Sequence, residues 1–339
     1  MTASRGGPAS PWLRSDGLEP PSPALPPLPG EVATAASFSP GTSRPRPRGP
    51  LHAALVTARP RQWIKNALVI AAAGAAGALG RDDVPVRVGL AFVAFCLLSA
   101  GVYAVNDCRD VLEDRAHPRK RLRPIAAGEL PIRSALALAA VWFVTGLALC
   151  FTIRPFLGLL GAAYVTLTLS YTVLWRQIVV LDIVAVAGGF VLRALAGGAA
   201  APVALSRWFL VVVTAAAVFV AAGKRQAELQ RTSRAGQSCT GRLVMGRYRL
   251  GALRMVLVAS GACAVVAYTV WALEIIAING VPWRLLTVVP FAACVIRYGV
   301  LLRGGAGEAP EETLLGDRWL LVAGALWLLL FGLAVHAAG

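Results

Sequence analysis

Nine long apolar segments dominate this sequence and leave few folds open to it. They cover residues 63–79, 86–105, 134–153, 155–174, 179–199, 208–223, 255–278, 283–302 and 319–338. A helix needs roughly 17 to 25 mainly apolar residues to cross the hydrocarbon core of a bilayer. Because 57% of the 339 residues are hydrophobic, the chain holds more apolar side chain than a soluble core of this size requires. The sequence therefore predicts an all-α, polytopic membrane protein with nine transmembrane helices.

The lysines and arginines are distributed unevenly between the two sides of these segments. If the chain crosses the membrane at every segment, 27 of the 33 lie on the side of the N-terminus and five on the other, while Arg193 lies inside a segment. Basic loops are retained in the cytoplasm. We therefore predict an inner (plasma) membrane protein with its N-terminus in the cytoplasm and its C-terminus outside. The net charge of +16 does not indicate nucleic acid as a partner, because the basic residues interrupt hydrophobic spans and form no soluble basic face.

Residues 1–50 differ in composition from the rest of the chain. They hold 12 of the 22 prolines and have no sustained apolar run. Such a segment cannot bury enough surface to order itself, so we predict a disordered, Pro-rich cytoplasmic tail. No apolar stretch typical of a signal peptide is found, and the first span is expected to direct insertion. A single transmembrane domain is predicted over residues 51–339.

Three aspartates follow the second apolar segment: Asp107, Asp110 and Asp114. If the helix continues for one or two turns beyond the bilayer, all three fall on one stripe. Three like charges repel each other, and a divalent cation between them relieves the repulsion. Magnesium prefers such oxygen ligands and also binds phosphate oxygens. The pattern predicts that these three residues hold Mg²⁺ and are catalytic, against the alternative of a solvated, charged helix cap.

A dense basic run at residues 119–123 follows a His-Pro pair directly after the aspartates. Arginine offers paired hydrogen bonds to phosphate, and lysine offers a point charge. We expect the run to bind substrate phosphates near the metal. His117 could take part or could equally brace the loop, and a basic loop that only fixes topology is the alternative for the whole stretch.

Asp182 lies at the predicted cytoplasmic edge of the fifth segment. An ionisable group there is costly unless it is paired or functional. It could complete the metal site or form an ion pair with Arg176, and the sequence does not decide between the two. Lys224 and Arg225, at the end of the sixth segment, are expected to contact phosphate.

Two further sets of basic residues have open roles. Arg193 lies about 16 Å deeper than Asp182 on the same helix face, at a rise of 1.5 Å per residue, and a structural pairing inside the bundle is favoured slightly over substrate contact. Arg59, Arg61 and Lys65 could meet an anionic headgroup or anchor the first helix. The residues predicted to contact substrate phosphates are Lys65, Asn106, His117, Arg119, Lys120, Arg121, Arg123, Tyr171, Arg176, Asp182, Lys224 and Arg225.

Several of these motifs occur together in one known family. Asn-Asp-x-x-Asp-x-x-x-Asp at residues 106–114 resembles the aspartate motif of the UbiA superfamily of intramembrane prenyl-transferring enzymes. One branch of that superfamily uses a phosphoribosyl donor. The sequence resembles this branch at residues 59–66, 117–124, 190–198 and 223–229. A single acid, Asp182, stands where most prenyltransferase relatives carry a second aspartate-rich motif, and this favours the same branch. The resemblance covers approximately residues 51–339.

The resemblance implies a UbiA-type transmembrane catalytic domain, with its helices around a central cavity. It also implies a magnesium-dependent phosphoribosyltransferase that joins 5-phosphoribosyl 1-diphosphate to a polyprenyl phosphate such as decaprenyl phosphate. The product, polyprenyl-phosphoryl 5-phosphoribose, would serve cell-wall arabinan synthesis. Because the acceptor phosphate is already anionic at neutral pH, neither a protein nucleophile nor a strong base is required. A homo-oligomer is left open.

Two other functions fit part of the sequence. A conventional UbiA-type prenyltransferase, with a prenyl diphosphate donor and a small acceptor, would share the fold and the metal site. A membrane transporter would show inverted repeats and polar groups near the midplane, whereas the polar groups here crowd one interface. An assay with a labelled phosphoribosyl donor separates the first alternative from the predicted activity.

Overall fold

The structure, a computed structural model, describes residues 49–81, 83–175, 179–234, 250–274, 283–305 and 310–336, and their regular structure is helical throughout. The α-helices are α1 (Pro50–Ala58), α2 (Ala67–Ala75), α3 (Val84–Arg109), α4 (Val111–Ala116), α5 (Pro124–Ala127), α6 (Ile132–Ile153), α7 (Pro155–Ser170), α8 (Val179–Ala200), α9 (Arg207–Arg234), α10 (Leu250–Leu273), α11 (Trp283–Leu286), α12 (Val288–Arg303), α13 (Pro310–Gly316) and α14 (Arg318–His336). Two 3₁₀ helices (Pro60–Asn66 and Lys120–Leu122) and one π-helical turn (Tyr171–Trp175) lie between them.

Eight helical stretches within the described residues are long and apolar enough to cross a membrane. They are Val84–Arg109, Ile132–Ile153, Pro155–Leu174, Leu181–Ala200, Arg207–Gln230, Leu250–Leu273, Trp283–Arg303 and Arg318–Val335. These stretches overlap the second to the ninth of the predicted segments, of which residues 275–278 and 337–338 lie outside the described residues. The chain is therefore an all-α, multi-pass membrane protein, as the sequence predicts. The predicted tail lies outside the described residues up to residue 48.

The first predicted segment, residues 63–79, is not among these eight stretches because its α-helix, α2, has only nine residues and is preceded by a 3₁₀ helix. Arg59 ends α1 in the left-handed region, at φ 52°, and Pro60 follows it. Proline has no N–H to donate and disfavours helical backbone in the residue before it. A 3₁₀ helix then runs to Asn66, and α2 continues for only nine residues. Hydropathy cannot detect such a break, because it depends on composition alone.

Helix α3 lies at the centre of the first half of the bundle and positions the acidic residues at its end. It packs against α2, α6, α7 and α8, and 61% of its membrane-spanning stretch is buried inside the protein. Phe95 and Leu98 are fully buried in its core cluster. Gly146 of α6 lets α6 approach closely, because a Cβ there would lie 2.8 Å from Leu98. Asp107, near the C-terminal end of α3, is also buried inside the protein.

The short helix α2 is held against α8 by a close backbone contact. A Cβ added at Gly197 would lie 2.1 Å from the carbonyl oxygen of Val69 and 2.8 Å from the Cβ of Ala72. Val69 and Ala72 are fully buried. Glycine at position 197 therefore allows close packing of the two helices.

Gly197→Ala is expected to destabilise the protein by about 1 to 3 kcal/mol, because a backbone carbonyl cannot move aside as a side chain can. The matched control is Gly332→Ala on α14, where an added Cβ meets nothing within 4 Å. Melting temperatures of the two purified variants in the same detergent measure the difference. Equal melting temperatures would contradict the proposed contact between α2 and α8.

Candidate active site

The acidic motif lies where α3 leaves the core and passes into α4. The backbone N–H of Asp110 donates to the carbonyl of Asn106 at 2.9 Å, and that of Asp114 donates to the carbonyl of Asp110 at 2.8 Å. Helical hydrogen bonding therefore continues through the junction at Asp110, and the helix extends beyond the apolar segment. The spacing that places the three aspartates on one side of the helix is kept.

Asp107 and Asp114 form a buried pair that two arginines neutralise. Their exposed fractions are 3% and 2%. Nη1 of Arg123 donates to Asp107 Oδ1 at 3.1 Å and to Asp114 Oδ2 at 2.7 Å, and Arg59 donates to the same oxygen of Asp107. Two carboxylates and two guanidinium groups balance in charge, which makes their burial affordable. Nη1 of Arg123 bridges the two carboxylates.

The atoms around this pair suit a hard cation. Oδ1 of Asn106 is buried and has no hydrogen-bond partner among the residues that the structure describes, and an unpaired buried acceptor is costly unless something binds it. Together with Asp107 and Asp114 it offers the oxygen ligands that Mg²⁺ prefers. Across the described residues, however, no three His, Cys, Asp or Glu side chains approach closely enough to hold a metal ion. Asp110, one turn away and half-buried, does not complete a closed three-aspartate site in this arrangement, and the predicted ligand set stays a prediction.

The basic run divides into an outward part and an inward part. Nδ1 of His117 accepts hydrogen bonds from the backbone N–H groups of Arg119 and Lys120, at 3.2 and 3.3 Å. His117 thus braces the loop, one of the two roles that the sequence left open. Arg119, Lys120 and Arg121 are exposed, whereas Arg123 is half-buried and turns toward the aspartates.

A second buried ion pair involves Asp182, which is fully buried at the start of α8. Nη2 of Arg225 donates to Asp182 Oδ1 at 2.7 Å, Nε of Arg225 donates to its other oxygen, and Tyr171 OH also donates to Asp182. Arg225 contacts Glu228 as well. The partner of Asp182 is therefore Arg225 of α9. Arg176, the partner considered from the sequence, lies outside the described residues.

The two buried clusters lie at the same end of the bundle. Arg109, at the end of α3, donates to the carbonyl of Val173 in the π-helical turn at 3.4 Å. This turn begins at Tyr171, so it joins the Asp182 cluster to the end of α3 that carries Asp107. Lys65 belongs to the 3₁₀ helix and donates to Gln62, while Lys224 is half-buried beside Arg225 on α9.

Arg59 is the residue whose role the sequence did not identify. Headgroup contact or helix anchoring was expected of it, yet it bonds to Asp107, 48 positions away, and its guanidinium lies 5.0 Å from the centroid of the Tyr103 ring. The only signal in the sequence is the Arg-Pro pair, which indicates a break in the helix but not the partner across it.

Comparison with known proteins places this arrangement in a family. The model of the UbiA prenyltransferase family matches residues 67–320. The decaprenyl-phosphate phosphoribosyltransferase of Mycolicibacterium smegmatis is 40% identical over 290 residues, which cover 82% of this chain and 91% of that protein. The protein of the same name from Corynebacterium glutamicum is 38% identical over 284 residues, with 82% of this chain and 85% of that protein covered.

Solved structures agree on the fold. A UbiA homologue from Archaeoglobus fulgidus bound to GPP and Mg²⁺ superposes with a TM-score of 0.63 at 17% identity, covering 84% of this chain and 99% of that one. A UbiA homologue from Aeropyrum pernix K1 gives a TM-score of 0.60 at 19% identity. Likeness at such identities concerns the fold alone, whereas the family match and the closer relatives concern the sequence itself. The chain belongs to the UbiA prenyltransferase family.

Proposed function

We propose that the chain is a phosphoribosyltransferase that moves 5-phosphoribose from 5-phosphoribosyl 1-diphosphate to decaprenyl phosphate or a similar polyprenyl phosphate. The relatives at 38 to 40% identity carry the name of this activity and are covered over most of their length. The observation that carries the proposal is the pair of buried carboxylates, Asp107 and Asp114, beside a basic loop at the end of a membrane-spanning helix. This arrangement suits a charged, phosphate-rich donor that meets a lipid acceptor.

Mg²⁺ is the cofactor that the donor set favours. Asp107, Asp110 and Asp114 would hold it, and the unpaired amide oxygen of Asn106 suits it as a further ligand, since an acceptor binds a cation better than a phosphate. When bound, the ion supplies Lewis-acid neutralisation of the charge on the departing diphosphate. The solved homologues with bound Mg²⁺ support this choice at the level of the family.

The basic residues have different roles at the proposed phosphate site. The exposed side chains of Arg119, Lys120 and Arg121 contact donor phosphates, while Arg123 stands closest to the carboxylates. Arg225, which is bonded to Asp182, Glu228 and Tyr171, shapes the second wall of the site. The remaining residues proposed to contact substrate phosphates are Lys65, His117, Arg176 and Lys224.

The reaction itself asks little covalent chemistry of the protein. An oxygen of the lipid phosphate forms a bond to the anomeric carbon of the ribose while the bond from that carbon to the diphosphate breaks. The acceptor oxygen is already anionic, so no side chain has to remove a proton from it. Fixed positive charge and correct placement of the two substrates account for the rate enhancement.

We propose nine membrane passages, the first being residues 63–79, which comprise the end of the 3₁₀ helix and α2. With it, the N-terminus and the acidic end of α3 lie in the cytoplasm and the C-terminus lies outside, which agrees with the distribution of basic residues. The helices would surround a central cavity that opens to the cytoplasm, where a soluble donor is available. Accessibility of single cysteines introduced at residues 121 and 154 to a membrane-impermeant thiol reagent tests this orientation.

Transfer of label from phosphoribosyl diphosphate to decaprenyl phosphate tests the function directly. In vesicles containing the purified protein, labelled lipid is expected to form with Mg²⁺, to fall to background with excess EDTA and to return when Mg²⁺ is restored. A prenyl diphosphate offered with small aromatic acceptors serves as the competing pair of substrates. Label transfer only from that pair would make the chain a conventional prenyltransferase.

A further inference from the structure

Arg193 is a buried cation inside the membrane-spanning part of α8. It is 6% exposed. Its Nε donates to Asn66 Oδ1 at 2.7 Å, its Nη1 to the carbonyl of Gly189 at 2.9 Å, and its Nη2 to Tyr164 OH at 2.8 Å. Nη2 also lies 3.5 Å from Ser99 Oγ, and the guanidinium lies 4.6 Å from the centroid of the Tyr164 ring. The planar group thus joins α3, α7 and α8 to the start of α2.

Each of these hydrogen-bond partners is uncharged. An ionisable group within the membrane is expensive, and a well-packed apolar residue is often at least as stable as a buried polar network. Stability alone therefore does not explain an arginine at this position. The guanidinium instead orients its partners, because its planar, rigid set of N–H donors holds their acceptor atoms in one geometry.

Asn66 is the partner that connects this network to the active site. It ends the 3₁₀ helix Pro60–Asn66 and is fully buried. Its Oδ1 accepts from Arg193 and lies 3.4 Å from the hydroxyl of Ser99, while its Nδ2 lies 3.3 Å from the sulfur of Cys96. Asn66 is thereby clamped between α3 and α8.

At the other end of the same 3₁₀ helix, the preceding residue Arg59 contacts Asp107 of the carboxylate pair. Residues 59–66, which we call the strap, begin with Arg59 on Asp107 and the Tyr103 ring and end with Asn66 beside Ser99. Ser99, Tyr103 and Asp107 follow each other at intervals of four on one face of α3.

The lengths of the strap and of this face agree. Eight residues of α3, from Ser99 to Asp107, rise about 12 Å at 1.5 Å per residue. The seven residues of the 3₁₀ helix rise about 14 Å at 2.0 Å per residue. Since the strap runs alongside α3 with little slack, a shift at its Asn66 end is transmitted to Arg59 at the other end.

We propose that Arg193 is a positioning residue for the active site. By fixing Asn66 it sets the register of the strap along α3, which keeps Arg59 on Asp107. Arg193 does not touch the substrates. The catalytic part of this inference rests on the proposed function, but the mechanical coupling between Arg193 and the strap does not.

Two variants break the link at different points. Arg193→Gln removes the fork but keeps a polar group, and Asn66→Leu removes the bond acceptor while keeping the same branching at Cγ. Tyr268→Phe is the control, because it removes a buried hydrogen bond to Thr287 (2.7 Å) and one from Trp327 (2.8 Å) in a different part of the bundle. All three are expected to lower the melting temperature.

Hydrogen exchange of the amides in residues 59–66 separates positioning from general destabilisation. In both link variants these amides are expected to exchange at least about tenfold faster, the loss expected for one hydrogen bond to a charged group. The control should leave them unchanged. The Arg193→Gln/Asn66→Leu double variant should be no faster than the faster single variant, because both changes cut the same link.

Kinetics supply the second readout. Both link variants are expected to raise the KM for phosphoribosyl diphosphate about tenfold with a smaller fall in kcat, since the donor site is displaced but its residues are intact. Strap exchange that is unchanged, or that rises equally in the control, overturns the proposal. If the protein transfers no phosphoribose at all, the exchange result still decides the coupling, so the two failures are distinguishable.

Discussion

Asp114→Asn is expected to reduce phosphoribosyl transfer by roughly two to three orders of magnitude while the protein remains folded. Asparagine has nearly the same shape as aspartate and can still accept the hydrogen bond from Arg123, which Asp114 receives at 2.7 Å. What is lost is a buried negative charge and a strong oxygen ligand for Mg²⁺. The rate of labelled-lipid formation at saturating donor, measured over a range of Mg²⁺ concentrations, gives the effect.

Glu113→Gln is the matched control for this variant. Glu113 is the preceding residue on α4 and is exposed, so the same unit of charge is removed from the same helical turn. Its activity is expected to stay within about threefold of the unsubstituted protein, because exposed charges are screened. Similar losses in both variants would point to a general electrostatic effect, and full activity of Asp114→Asn would remove the metal site from the proposal.

The sequence predicts well those features that depend on neighbouring residues. Apolar segments of sufficient length identify eight spans, since every crossing helix must present apolar side chains to lipid. Helical hydrogen bonding continues from Asn106 through Asp110 to Asp114, as expected for a helix that extends beyond its apolar segment, and His117 makes its contacts within three residues. In each case the interacting groups lie close together along the chain.

The sequence does not predict contacts between residues that are far apart along the chain. Asp182 had Arg176 six positions away as a plausible partner, yet it pairs with Arg225, 43 positions away. The pairing of Arg59 with Asp107 depends on the left-handed backbone at Arg59 and on how α2 packs against α8. Neither can be read from charge or hydropathy, because both arise from packing between helices that no local pattern specifies.

Arg123→Gln is expected to strengthen Mg²⁺ binding in the absence of substrate and to weaken donor binding. Arg123 donates to both Asp107 and Asp114, so it competes with a cation for the same oxygens. Without it, Arg59 on Asp107 is the one cation that the described residues keep bonded to the carboxylate pair, and the metal-free variant should lose about 2 to 3 kcal/mol of stability. This lies below the cost for a fully buried pair because the Arg123 side chain is 29% exposed.

Two measurements check these opposite effects. The rise in melting temperature on adding Mg²⁺ should be larger for Arg123→Gln than for the unsubstituted protein, since the ion replaces the missing positive charge. The KM for phosphoribosyl diphosphate should rise about tenfold to a hundredfold, as expected when a charged hydrogen bond to phosphate is lost. Arg133→Gln, an exposed arginine at the start of α6 that is not proposed to contact phosphate, is the control and should change neither quantity strongly. Weaker Mg²⁺ stabilisation in Arg123→Gln than in the unsubstituted protein would mean that the ion does not bind between Asp107 and Asp114.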